Sequence, residues 1–321
     1  MIQTVGVVGA GTMGFGIAFQ FAINGTKVIL NDLSEEILEA AHSKVNTYLS
    51  IFRNQGFDIS LSDEEVHQNI QYSTQIEDLK NCNLVIESAS ENLEIKQKLF
   101  KQLDEICSEN TILTSNTSSL SLSDIVVHVE KHKDKVMLTH FFNPAHIIPL
   151  VELLKSENTE NSIFNEVKRF LESQNKVTIE VKREIAGLVA NRIQVALARE
   201  ALALLEDGIV SKEDLEIALY AGPGFRFTSS GLLKIIDFGG LDVWNTVLQQ
   251  LQPKIESSVR DFAEINDRVK VGDFGVKTGK GFFEYPGKGL DGYVIQRDET
   301  LLRHLLSTNP QLREEKEEVN K

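Results

Sequence analysis

Cysteine is scarce in this 321-residue chain: Cys82 and Cys107 are the two present. They are too few for a disulfide framework or a zinc site, both fall in segments that read as buried or helical, and no metal is implied. That usage fits a reducing cytoplasm. Positive charge is also short, with 33 Lys and Arg against 47 Asp and Glu and a formal net charge of -14. Such a field repels nucleic-acid phosphates and anionic membrane surfaces, which leaves small molecules or protein as partners. No stretch approaches the roughly 18 uninterrupted apolar residues of a membrane span, and Met1 runs into an apolar strand without the basic segment of a signal peptide. What is present is a composition of 41% apolar and 25% charged residues, ordinary for a soluble globular protein and long enough for two domains.

TVGVV at 4–8 is a β-rich run that ends at Gly9; helical apolar spacing then runs from Met13 to Phe21 and stops at Asn24-Gly25, before a second strand, KVIL at 27–30. A strand–helix–strand unit of this length implies a right-handed crossover and a parallel sheet. From Ser34 to about Gly56 one long amphipathic helix carries an apolar stripe of Ile37, Leu38, Ala41, Val45, Tyr48, Leu49 and Phe52. After a short helix at 63–68, strands recur at 84–86, 111–113, 136–138, 150–153 and 177–179 with helical segments among them, the alternation of a doubly wound α/β fold. Beyond Ile185 the strands cease: residues 186–206 read as helix throughout, and Ser211 with Asp214 opens another. The expected organisation is a Rossmann-like doubly wound sheet domain at 1–185, an all-helical C-terminal domain at 186–290, and a polar helical tail at 291–321 whose last ten residues are mostly charged.

GAGTMG places Gly9, Gly11 and Gly14 directly after a strand and at the opening of a helix, with Thr12 and Met13 between them. In a dinucleotide fingerprint the first glycine permits the tight turn, the second lets backbone approach a pyrophosphate, and the third allows helix to pack on sheet. Asp32, at the end of the second strand, supplies the carboxylate that meets the ribose hydroxyls. That carboxylate repels a 2'-phosphate, and no arginine follows within the next several residues, so NAD is favoured over NADP.

THFFNPAHIIPLVELL, at 139–154, puts His140 and Glu152 in an apolar stretch, where each needs a partner or a task. Oxidising a secondary alcohol with NAD requires a base for the hydroxyl proton, which suits an imidazole. The strand at 136–138 places His140 just past its carboxyl end, the edge where open α/β sheets bind ligands, and a carboxylate on the other ring nitrogen would fix its tautomer. His42, His67, His128, His132 and His304 read as solvated, and His146 is given no role.

GAGTMG, SNTSSL (115–120), HFFNP (140–144), PLVEL (149–153), AGLVANRI (186–193) and KTGKGFFEY (277–285) together resemble the L-3-hydroxyacyl-CoA dehydrogenases, over about residues 4–287. The resemblance implies fatty acid metabolism, a Rossmann-like domain, and a helical domain that forms a homodimer, with the active site in the cleft between the two domains. It also implies that Ser118 and Asn191 join His140 and Glu152 as catalytic and substrate-binding groups, and that Glu91, Lys96, Asn143 and Lys277 contact the cofactor. Lys96 and Lys277 read equally well as solvated surface charges.

The departures concern the substrate. Where the acyl-CoA enzymes carry serine and lysine on the long helix to meet the CoA, this chain has Tyr48 and Gln55, with Arg53 close by. The PMGPF segment of those enzymes is replaced by GPGFRFTSSGLLKIIDFGGLD at 222–242, in which Arg226 can clamp a carboxylate. AHIIPLVEL and EIAGLVANR are closer to the carnitine dehydrogenase, gulonate dehydrogenase and λ-crystallin branch. The favoured reading is NAD-dependent oxidation of an L-3-hydroxyacyl-CoA; the alternatives are the same chemistry on a small free 3-hydroxy acid and a non-catalytic dinucleotide-binding protein.

Overall fold

The computed structural model describes residues 2–309 and 312. It divides into two compact units: the residues up to Val189 with the described residues from Asp298 onward, and Ala190–Arg297.

The first unit is a sheet of eight strands among the described residues: β1 (Thr4–Val8), β2 (Lys27–Asn31), β3 (Ile70–Ser73), β4 (Leu84–Glu87), β5 (Ile112–Ser115), β6 (Val136–Phe141), β7 (Leu150–Lys155) and β8 (Val177–Glu180). Their order is β3-β2-β1-β4-β5-β6-β7-β8, the chain adding strands first on one side of β1 and then on the other, which marks a doubly wound sheet. Val5, Val7 and Val8 on β1 and Leu84, Val85 and Ile86 on β4 are buried, as strands covered on both faces require. Helices α1 (Thr12–Ile23), α2 (Glu35–Asn54), α3 (Asp63–Gln68), α4 (Leu93–Ile106), α5 (Leu122–Ile125) and α6 (Asn161–Ser173) are interleaved with the strands. All neighbours pair in parallel except β6 and β7, which run antiparallel with His140 opposite Glu152.

Helix α2 starts where Ser34 accepts the Ile37 amide, and Glu35 and Glu36 complement the positive end of its dipole. Its stripe of Leu38, Ala41, Val45, Tyr48, Leu49 and Phe52 is buried, whereas Ile37 is exposed. The chain returns to this helix at its far end. The unit boundary falls within α13 (Gly289–Thr308), and past it Leu302, Leu305 and Leu306 form a buried i, i+3, i+4 stripe. Asp298, fully buried, accepts the Tyr48 hydroxyl at 2.8 Å, and Arg303 donates to the Gln55 side chain at 3.3 Å. The Asp58 amide donates to the Leu312 carbonyl at 2.8 Å.

The second unit contains α7 (Ala190–Glu206), α8 (Lys212–Ala221), α9 (Pro223–Phe227), α10 (Leu232–Gly239), α11 (Leu241–Leu251), α12 (Ala263–Val271) and the start of α13. Among its described residues only Ala203 and Ile235 are buried, while Phe225, Leu233 and Phe238 are 71%, 77% and 85% exposed.

Four sequence expectations are corrected. β6 continues through Phe141, so His140 lies within the strand rather than just past it. β3 is a strand the sequence reading did not single out. The helix expected from residue 186 begins at Ala190, because Gly187 and Leu188 take positive φ values of 76° and 50°. His132 is fully buried rather than solvated, its Nδ1 2.7 Å from Asp104 Oδ1 and its Nε2 2.7 Å from the Ser108 carbonyl. The charged final stretch lies outside the described residues, Leu312 excepted.

Desolvation raises the Asp104 carboxyl, but the Glu130 and Lys131 amides and the two His132 donors outweigh it and hold the group below the usual carboxylate range. A depressed folded value contributes stability above the unfolded pKa of about 3.9 that is lost as pH falls through the folded value. Asp104→Asn weakens the buried acceptor of three backbone amides and the His132 ring, so it is expected to lower the unfolding free energy by about 3 kcal/mol at pH 7. Urea titrations from pH 7 to pH 3 should show the gap from wild type narrowing in acid; a constant gap contradicts this account.

Candidate active site

The turn from β1 into α1 is built for close approach. Gly9 has φ of +94°, and a Cβ there would lie 2.5 Å from the Ser88 carbonyl oxygen; a Cβ on Gly14 would lie 1.7 Å from the carbonyl oxygen of Gly9. Gly11 differs: nothing of the protein stands within 4 Å of its Cβ position, so its side is open. As N-cap of the twelve-residue α1 it provides no side-chain acceptor for the helix amides, which leaves that positive end available to an anion. Asp32 closes the turn, Oδ2 accepting the Ala10 amide at 2.8 Å and Oδ1 the Ser34 amide at 3.0 Å. An open glycine, uncapped helix amides and a carboxylate beside them fit a dinucleotide with a free ribose diol.

His140 and Glu152 face each other across the antiparallel β6–β7 ladder, with Nδ1 2.8 Å from Oε2. Glu152 is fully buried and its Oε1 accepts the Val189 amide at 3.0 Å. An ionised carboxylate accepts only, so in this bond Nδ1 carries the hydrogen, and Nε2 is the ring nitrogen left to exchange a proton. The Phe142 ring lies 4.8 Å from the imidazole. Asn116, which the sequence reading passed over, accepts the Phe141 amide at 2.8 Å and ties the loop after β5 to the strand that carries His140.

That loop carries Ser118, whose amide donates to Glu91 Oε1 at 3.1 Å. Lys96 is 1% exposed rather than a solvated charge, its ammonium 2.5 Å from Glu87 Oε1 and 3.2 Å from Glu91 Oε2. Glu87 was also missed; the sequence shows it only as the last residue of an apolar strand. Asn143 is exposed in the segment after β6, and His146, buried, packs its ring 4.4 Å from that of Tyr48. The structure therefore gathers His140 with Glu152, and Ser118 with Glu91 and Lys96, in the first unit. Asn191 lies in the first turn of α7, Arg226 is exposed on α9 and Lys277 is exposed between α12 and α13, all in the second unit. Among the described residues no group of His, Cys, Asp or Glu is arranged to hold a metal, and no helix is long and apolar enough to cross a membrane.

Residues 4–185 match the family model of the 3-hydroxyacyl-CoA dehydrogenase NAD binding domain, and residues 187–285 that of the 3-hydroxyacyl-CoA dehydrogenase C-terminal domain. The chain belongs to the 3-hydroxyacyl-CoA dehydrogenase family. It is an NAD-dependent oxidoreductase acting on a CH–OH group. The 3-hydroxybutyryl-CoA dehydrogenase of Clostridioides difficile is 34% identical over 87% of this chain and 98% of its own. The 5-formyl-3-hydroxy-2-methylpyridine 4-carboxylate 5-dehydrogenase of Mesorhizobium japonicum is 28% identical over 89% of this chain and 91% of its own. Among solved structures, a 5-dehydrogenase of that pyridine carboxylic acid, described as an NAD+ dependent dismutase, superposes with a TM-score of 0.88 at 26% identity over 96% of this chain and 99% of its own. (S)-3-hydroxybutyryl-CoA dehydrogenase from Ralstonia eutropha gives 0.70 at 33% identity, over 89% of this chain and 100% of its own.

The open side of Gly11 gives a test of the NAD site. Gly11→Ala should leave stability unchanged or raise it by about 0.4–1 kcal/mol, since its φ of -63° suits alanine. The added methyl should weaken NADH binding by about tenfold, roughly 1.4 kcal/mol. Fluorescence titration with NADH beside a denaturation curve checks both; unaltered affinity would place the pyrophosphate elsewhere.

Proposed function

We propose that this family member oxidises the 3-hydroxyl of a small free 3-hydroxy acid, reversibly, to the 3-oxo acid. NAD, when bound, accepts the hydride. His140 takes the hydroxyl proton on Nε2, and Glu152 holds the ring in that tautomer and stabilises the imidazolium that forms. Ser118 bonds the substrate, Asn191 donates to the developing carbonyl, and Arg226 pairs with the substrate carboxylate as a bidentate fork. Gly9, Gly11, Thr12, Met13, Gly14 and Asp32 hold the dinucleotide, with Asn143 and Lys277 as further contacts.

The observation that carries the choice of a free acid is the return of α13 to α2. Tyr48 and Gln55 stand at the positions where the resemblance to the acyl-CoA enzymes implies contacts to CoA, and here the chain's own Asp298 and Arg303 engage them. Arg53 is likewise committed, to Asp63 at 3.0 Å and to the Leu61 carbonyl at 2.6 Å. A relative named for a pyridine carboxylate substrate supports the same reading. The second reading, oxidation of an L-3-hydroxyacyl-CoA, is favoured by both family models and by the 3-hydroxybutyryl-CoA relatives. The dehydrogenase relatives and both family models disfavour a purely structural role.

The exposed apolar side chains of the second unit support a homodimer formed through its helices, because single soluble chains rarely leave so much apolar surface in water. Sedimentation should give twice the 35.9 kDa chain mass.

NAD reduction measured with a panel of free 3-hydroxy acids beside 3-hydroxybutyryl-CoA decides the substrate. Turnover of a free acid with none of the thioester is expected; the reverse pattern establishes the second reading. His140→Gln should lower kcat by about a hundred- to ten-thousandfold while NADH affinity stays the same. Full turnover in that variant would remove the base assignment.

A further inference from the structure

Strand β4 ends in a carboxylate that solvent does not reach. Glu87 is fully buried, and a buried carboxylate without partners costs several kcal/mol. Its Oε2 accepts the Ser115 hydroxyl at 2.6 Å, and its Oε1 accepts the Ala89 amide at 2.7 Å and the Lys96 ammonium at 2.5 Å. Lys96 is delivered by the start of α4, where Asn92 caps the helix by accepting the Ile95 amide. An ammonium has three N–H donors. Those of Lys96 face Glu87, Glu91 Oε2 at 3.2 Å and the Ala89 carbonyl at 3.5 Å.

Glu91 passes the constraint on. Its Oε1 takes four donors from the loop after β5: the Thr117 hydroxyl at 2.5 Å, the Ser118 and Ser119 amides at 3.1 Å each, and the Ser119 hydroxyl at 2.9 Å. Desolvation pushes this carboxyl up, but the Thr117 bond, the Lys96 charge and the Ser119 bond bring it down to about 2, so the acceptor stays ionised. The chain of contacts runs from one buried carboxylate through one ammonium to a second carboxylate and onto the backbone that presents Ser118.

We propose that Glu87 and Lys96 are positioning residues which, through Glu91, fix the backbone at 117–119 and thereby aim the Ser118 hydroxyl at the alcohol-bearing substrate. This rests on the reading of Ser118 given under the proposed function and gives Lys96 a task in holding the loop. Without the ammonium, Glu87 and Glu91 repel each other across the same space; without Glu87, Lys96 is free to leave Glu91.

Glu87→Gln keeps the shape and removes the charge. Amide hydrogen exchange of residues 117–119 should then accelerate by about tenfold or more, with exchange in β6 unchanged. In turnover assays kcat/KM for the hydroxy acid should fall by about tenfold while the NADH Kd moves less than about twofold. Combined with Ser118→Ala, the effect of Glu87→Gln should shrink to near nothing, because both changes act through one hydroxyl. Unchanged exchange at 117–119, or additive losses in the double variant, overturns the proposal. The exchange measurement needs no substrate, so a wrong substrate assignment leaves it intact and is told apart by wild-type turnover. Should Glu87→Gln fail to fold, Glu91→Gln removes the last link alone and must loosen the same three amides.

Discussion

The antiparallel pairing of β6 with β7 is the interaction on which the site depends. With β7 running back against β6, His140 and Glu152 become direct cross-strand neighbours and the separation of their side chains is fixed by backbone hydrogen bonds rather than by a flexible loop. Neither group is tolerable alone in this interior, and together they satisfy each other. The segment that joins the strands is also tied down: the Lys176 ammonium donates to the carbonyls of Ala145 at 2.6 Å and Ile148 at 3.1 Å. Full burial of that ammonium draws its pKa down to about 7.

The same logic recurs wherever the first unit buries charge. Glu87 with Lys96 joins the end of β4 to α4, Asp104 with His132 joins α4 to the segment before β6, and each pair ends on backbone amides or carbonyls. Such pairs add little net stability compared with apolar packing, but they tolerate no alternative arrangement, since any shift strands a charge in a dry environment. The loops near the ends of the strands are therefore held by buried ionic pegs while their outer faces remain exposed.

Much of this was legible in the sequence because it is local. The glycine spacing directly after a strand, Asp32 at the end of the next, and two ionisable residues in an apolar run announced the nucleotide turn and the His–Glu pair. The direction of β7 was not legible: hydrophobic pattern marks a strand without saying which way it runs, and the repeated strand–helix alternation argues for parallel pairing throughout. His132 looked solvated because Lys131 and Lys133 flank it, and its actual partner lies 28 residues earlier. Lys96 looked like a surface lysine for the same reason: the carboxylates that bury it come from a strand and a turn outside its own helix. Leu302, Leu305 and Leu306 sit among polar neighbours, and the hydroxyl that Asp298 accepts is 250 residues away in the chain.

The separation of Tyr48 from Asp298 orders events on the ribosome. All eight strands are synthesised before Ala190, yet the cover of α2 is encoded after Arg297, with the entire helical unit between. A nascent chain therefore carries an incomplete nucleotide-binding unit, its α2 stripe unsealed, for the time needed to translate more than a hundred further residues. Completion of the earlier-made unit is bound to the emergence of α13, so the unit begun first is sealed only after the second has been made.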